Sequence, residues 1–92
     1  GIVKTIEWTN PHAWIELNVA SPAGKTTQWS VELDSPNVLR RHGWQVGEIK
    51  AGDRLTIVLH PMRDGRPGGA YVSVLLASGK VLGRGGAPTP GA

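Results

Sequence analysis

In residues 12–19 apolar and polar side chains alternate with a period of two. Ala13, Ile15, Leu17 and Val19 fall on one side; His12, Trp14, Glu16 and Asn18 fall on the other. Residues 26–33 repeat the pattern, with Trp29, Val31 and Leu33 against Gln28, Ser30 and Glu32. Between them Ser21-Pro22-Ala23-Gly24 has the composition of a turn. A period of two is that of a β-strand with one buried face, so the two runs predict a hairpin. Parity then fixes Trp14. It must share the outer face with Glu16, Ser30 and Glu32, because a one-residue slip would turn the whole apolar set to water. The same rule predicts that Trp29 is buried.

The remaining elements follow from local chemistry. Residues 2–8 read as a β-branched strand that enters the corner Glu7-Trp8-Thr9-Asn10-Pro11-His12-Ala13-Trp14. This corner is stiffened by proline and carries two tryptophans. Asp34-Ser35-Pro36 starts a short helix over 36–42, with Asp34 or Ser35 as cap and Pro36 at the first helical position. Gly43 suits a left-handed stop. Val38, Leu39 and Trp44 are expected to plug an open end of the sheet. Residues 54–60 and 70–77 are further strands, separated by a turn-rich loop over 61–69. Ser78-Gly79 is a turn into a short return strand over 80–82. Gly68-Gly69 is expected to free the backbone for a bulge. Residues 84–92 are rich in Gly, Pro, Ala and Thr and predict a disordered tail.

Composition narrows the rest. A chain of 92 residues is one domain, without phenylalanine or cysteine and with four tryptophans, so the core must be aliphatic and indole. No disulfide, thiolate nucleophile or cysteine metal site is available. No apolar run approaches the roughly 18–20 residues of a membrane-spanning helix. The chain opens on strand-like sequence, as a processed or trimmed protein would. The net charge of +3 is scattered, with only Arg40-Arg41 adjacent, which suits solubility better than a nucleic-acid patch.

Strand, strand, strand, short helix, strand, strand is the order of an OB-fold, a five-stranded Greek-key barrel with one helix between the third and fourth strands. The expected fold is therefore all-β: an OB-like barrel over residues 1–83, with another small sandwich or barrel as the alternative. The chain also resembles a family of small secreted or periplasmic proteobacterial proteins known only as a domain of unknown function. The resemblance rests on Glu7 to Trp14, on Ser35-Pro36-Asn37 with Leu39 and Arg41 to Trp44, on Lys50-Ala51-Gly52-Asp53, and on His60-Pro61, Arg63-Asp64-Gly65 and Gly68-Gly69. It implies export to the periplasm or beyond, and a compact β-rich domain. It implies no reaction.

In an OB arrangement the loops after the first and fourth strands flank the ligand face. That would gather Asn10, His12 and Trp14 near His60, Arg63, Asp64 and Arg66. Trp14 offers a flat apolar wall, Asn10 and His12 offer hydrogen bonds, and Arg63 and Arg66 could clamp a carboxylate or phosphate. The plainer alternative is structural: Asn10-Pro11 as a tight turn and Trp14 packed beneath the loop. A metal site would use His12 and His60, completed by Asp64 or Glu16, although no close His spacing supports it. His42 is better read as a helix-end residue. Single-stranded nucleic acid is disfavoured because Glu16 and Glu32 share the face of Trp14. Catalysis has little support: Ser73 and Ser78 lie in no nucleophile elbow, Asp34 reads as a cap, and Asp53 and Asp64 read as turn residues. The expected protein is an exported, non-catalytic module without a required cofactor. It would bind a small molecule or a protein partner at the end formed by the Asn10–His12–Trp14 corner and the loop from His60 to Gly69. The alternatives are a structural protein that self-associates through strand edges at 2–8 or 80–82, and a metal-handling protein using His12 and His60.

Overall fold

The hairpin forms as its alternation requires. A computed structural model of the chain describes residues 1–83; the tail expected at 84–92 lies outside them. Strand β2 (Trp14–Ala20) pairs antiparallel with β3 (Thr26–Glu32) in an unbroken register from Trp14 opposite Glu32 to Ala20 opposite Thr26. Ala13, Ile15, Leu17, Val31 and Leu33 are buried on one face. Trp14, Glu16, Ser30 and Glu32 occupy the other and are only partly covered.

Around this hairpin stand β1 (Ile2–Glu7), α1 (Pro36–Arg41), β4 (Leu55–Pro61), β5 (Gly68–Leu76) and β6 (Val81–Gly83). The strands make one mixed sheet in the order β1-β2-β3-β5-β4, with β6 also on β5. The short return strand expected at 80–82 forms one residue later, as a sixth strand beside the five of the OB comparison. All pairs are antiparallel except β3 with β5, which run parallel over Ser30–Glu32 and Gly68–Ala70. The ladder does not close into a barrel. Its two ends meet at one isolated bridge, Ile2 with Arg54. Backbone bonds flank the bridge: Val3 N to Asp53 O (2.8 Å), Gly52 N to Val3 O (2.8 Å) and Leu55 N to Gly1 O (2.9 Å). They occupy the start of the β1 edge, where strand addition was considered.

Two bulges set which side chains face the core. Between Val3 and Thr5 the β1 register slips by one residue at Lys4. Val3 opposite Leu17 and Ile6 opposite Ile15 therefore both point inward, which strict alternation would forbid. A second slip leaves Val72 of β5 between the pairs Val58–Ser73 and Leu59–Tyr71.

Helix α1 has Ser35 as its N-cap, accepting from Val38 N (3.4 Å), with proline in its first turn. Asp34 is therefore not the cap. Its carbonyl accepts Ala13 N (3.1 Å) and extends the β2–β3 ladder, which keeps Asp34 extended and delays the helix by one residue. Leu39, Trp44 and Ile49 join the core. Val38, expected with them, is only partly buried. The Trp44 ring meets Trp8 (centroids 6.4 Å apart) and Tyr71 (5.4 Å) edge to face, the arrangement that aromatic quadrupoles favour.

Trp29 departs from expectation. It faces inward but is only partly buried. The β3–β5 pairing stops at Ser30, so Trp29 lies beyond it and is covered from one flank. It lines an open apolar cleft with Leu17, Val19, Ile57 and Leu59. Gly68 and Gly69 also act differently from expectation: they are strand residues, and the bulge falls later, at Val72. They lie between β3 on one side and β4 on the other. A Cβ at Gly68 would come within 2.7 Å of Ser30 O, and one at Gly69 would collide with His60 O. Among the described residues no helix is long and apolar enough to cross a membrane.

Ile15→Ala should lower stability by about 2–5 kcal/mol, the range for emptying a closed aliphatic site. Trp29→Ala should cost less than the about 3–5 kcal/mol of a fully buried tryptophan. Gly69→Ala should cost roughly 1–3 kcal/mol or more through overpacking against β4. Urea titrations of the three variants check all these values.

Candidate functional site

The corner between β1 and β2 is fastened by its own polar groups. Thr9 Oγ1 donates to His12 O (2.7 Å). Leu33 N donates to Ala13 O (2.9 Å), carrying the ladder past the end of β3. His12 Nδ1 lies 2.9 Å from Leu33 O. A carbonyl only accepts, so Nδ1 carries the hydrogen and Nε2 is left as the free ring nitrogen. His12 thus clips the corner to the hairpin. The Asn10–Pro11 peptide is cis, and Asn10 is exposed.

The outer face of the hairpin carries a polar chain across three strands. Lys4 Nζ donates to Gln28 Oε1 (3.0 Å), Gln28 Nε2 to Glu16 Oε2 (3.4 Å) and Ser30 Oγ to the same oxygen (2.6 Å). Glu16 is thereby satisfied within the sheet. Glu32 and Asp34 make no side-chain hydrogen bond or ion pair among the described residues.

The loop between β4 and β5 is tied at both ends. Met62 N bonds Gly68 O (3.1 Å), Gly65 N bonds Met62 O (3.2 Å), and Ser30 N bonds Pro67 O (3.2 Å). Asp64 takes the Arg66 backbone amide on Oδ1 (3.0 Å) and the Arg66 Nε on Oδ2 (2.7 Å). The amide first, and then the guanidinium, hold this exposed carboxyl below the usual carboxylate range. Asp64 is therefore committed to shaping the loop. Arg63 forms no ion pair among the described residues.

These parts enclose two adjoining cavities. The larger, about 690 Å³, runs between Trp14 and the loop; His60, Met62, Arg63 and Arg66 line it and Gln28, Ser30 and Glu32 contribute from β3. The smaller, about 420 Å³, lies between His12, Asp34, His60 and Tyr71. Glu32, His60 and Ala70 border both. Of the residues singled out from sequence, Trp14, His60, Arg63 and Arg66 meet in the larger cavity, and His12 meets His60 in the smaller. Asn10 and Asp64 line neither. The sequence reading left out Gln28, Ser30, Glu32, Asp34 and Met62. Strand parity had already set Gln28, Ser30 and Glu32 beside Trp14; Asp34 was hidden by its assignment as a cap.

The cavities offer apolar contact, hydrogen bonds and charge. Trp14 and Met62 give apolar walls, and hydrogen-bonding and charged groups are few and separated, as in ligand sites generally. Among the described residues no three His, Cys, Asp or Glu side chains come close enough to hold a metal ion. Neither Asp64 nor Glu16 completes a site with His12 and His60. His12→Ala should cost about 0.5–1.5 kcal/mol by removing the bond to Leu33 O, measurable as a lower urea midpoint.

No curated protein and no solved structure matches the chain. The model of a family of unknown function, DUF6152, matches residues 1–71. By its N-terminal corner, hairpin, helix and loop alike, the chain is a member of that family.

Proposed function

We propose that this protein is an exported, non-catalytic binding module whose ligand, a small molecule or a segment of a partner protein, lies between Trp14 and the loop that follows His60. One observation carries the reading. A cavity of about 690 Å³, within the range of ligand sites, opens on the outer face of the sheet, away from the buried core cluster. Its walls combine an aromatic ring, a thioether and two guanidinium groups over a hydrogen-bonding floor.

The architecture we propose is OB-like. The strand order β1-β2-β3-β5-β4, the parallel β3–β5 pair and the Ile2–Arg54 bridge between the outermost strands are all consistent with it. In such a fold the face of the second and third strands, with the loops after the first and fourth, is where ligands lie. Export to the periplasm or outside the cell is part of the proposal and rests on the resemblance of the corner and loop segments. Fractionation of the source cell tests that part.

A fragment screen by two-dimensional NMR tests the site. Hits are expected to move the Trp14 indole and the amides of Ser30 and His60 together, and Trp14→Ala should abolish those hits while the dispersion of the spectrum is retained. Hits gathered instead at the Trp29 cleft would place binding on the opposite face and end this reading.

A further inference from the structure

Charge is divided along the two cavities. Arg63 and Arg66 stand at the larger one. Asp34 stands at the smaller, and Glu32, two residues before it on one strand path, stands where the two meet, lining both. Arg66 is partly engaged by Asp64 through Nε, but Arg63, Glu32 and Asp34 have no ionic partner among the described residues. Glu16, on the same face, is already held by Ser30 and Gln28. Satisfied polar groups thus build the floor, while Arg63 in the larger cavity, Asp34 in the smaller and Glu32 between them carry charges without an ionic partner among the described residues. His60 and Glu32 border both cavities, so they form one trough.

The geometry points to a ligand of matching polarity: a short extended peptide segment, cationic at the end lodged by Glu32 and Asp34, apolar over Trp14, and anionic at the end met by Arg63 and Arg66. This rests on the binding reading given above and adds the ligand class. An ammonium or guanidinium group suits the smaller cavity because two carboxylates can receive it, and charge-assisted hydrogen bonds are the stronger ones. An arginine matches a carboxylate in a bidentate fork at the other end. A peptide also brings a side chain to cover the indole. A metal ion does not suit the acidic end, since the three-donor set it needs is not assembled.

Three pentapeptide probes test the assignment, each spanning roughly 16 Å when extended. The first is Lys-Ala-Leu-Ala-Glu with free termini. The second lacks the cationic end (acetyl-Gln-Ala-Leu-Ala-Glu), and the third lacks the anionic end (Lys-Ala-Leu-Ala-Gln amide). Titrations are followed by the Trp14 indole and by the backbone amides of Glu32, Asp34 and Arg63. The doubly charged peptide should move all four signals, and each control should bind about tenfold more weakly. Glu32→Gln with Asp34→Asn should weaken the first peptide by about tenfold. The same double variant should change the affinity of the acetylated control by no more than about twofold. An unchanged urea midpoint establishes that this double variant is folded. If all three peptides move Trp14 with equal affinity, the trough binds without regard to charge: the ligand class is overturned and the binding reading stands. If none moves Trp14 at about 1 mM, a concentration that detects even weak complexes, the peptide class is overturned, and the binding reading then stands or falls on the fragment screen alone.

Discussion

Everything on the outer face depends on the register of β2 against β3. The seven pairs from Trp14–Glu32 to Ala20–Thr26 run without a break. The pairs Ile15–Val31 and Leu17–Trp29 point inward, so the pairs between them must point outward. Burying an aliphatic side chain contributes about 1.5–3 kcal/mol, and a whole domain is stable by only about 5–15 kcal/mol. A slip that exposed Ile15, Leu17, Val31 and Leu33 would consume most of that. The core therefore holds Trp14, Gln28, Ser30 and Glu32 in place, although none of them belongs to it.

The ends of the hairpin then decide what the face can offer. At one end His12 Nδ1 bonds Leu33 O and Asp34 O receives Ala13 N. These bonds prolong the ladder by two residues and push the helix cap onto Ser35. The Asp34 carboxylate is left beside the smaller cavity instead of on helix amides. At the other end Ser30 N holds Pro67 O, and Asp64 folds the loop around Arg66. Arg63 and Arg66 are thereby carried to the rim by backbone bonds at the loop's ends and by the Asp64 carboxylate within it.

What was legible in the sequence was local. The hairpin, the Pro36 helix start, the turn-rich loop after His60 and the outward face of Trp14 all follow from period, cap and turn chemistry within a few residues. What was not legible depends on neighbours distant in the chain. One extra residue at Lys4 or Val72 re-aims a strand without a compositional mark. Trp29 is half-covered because β5 joins β3 only at Ser30, a start set by parallel pairing across nearly forty positions. Gly68 and Gly69 read as a bulge signal, but their reason is two flanking strands too close for a Cβ. Asp34 and Ser35 are both good caps by type, and only the bond from Ala13 chooses between them. In the candidate site, parity brought Trp14 and the β3 residues to one face, whereas placing Arg63 in the larger cavity and Asp34 in the smaller needed their folded positions.

The two half-buried tryptophans of the hairpin mark a separation of tasks. Trp29 lines a cleft whose walls, Leu17, Val19, Ile57 and Leu59, pack against the core. Any substitution that reshapes that cleft also alters packing, so affinity there could change only together with stability. Trp14 lies across the sheet, where its neighbours Glu7 and Glu32 bury little apolar area. Changes there can alter what is bound while the register, the core and the helix stay as they are. A scaffold that fixes its outer face through its inner one leaves the residues around Trp14 freer to vary than those of the Trp29 cleft, and this supports the Trp14 side as the proposed place of binding.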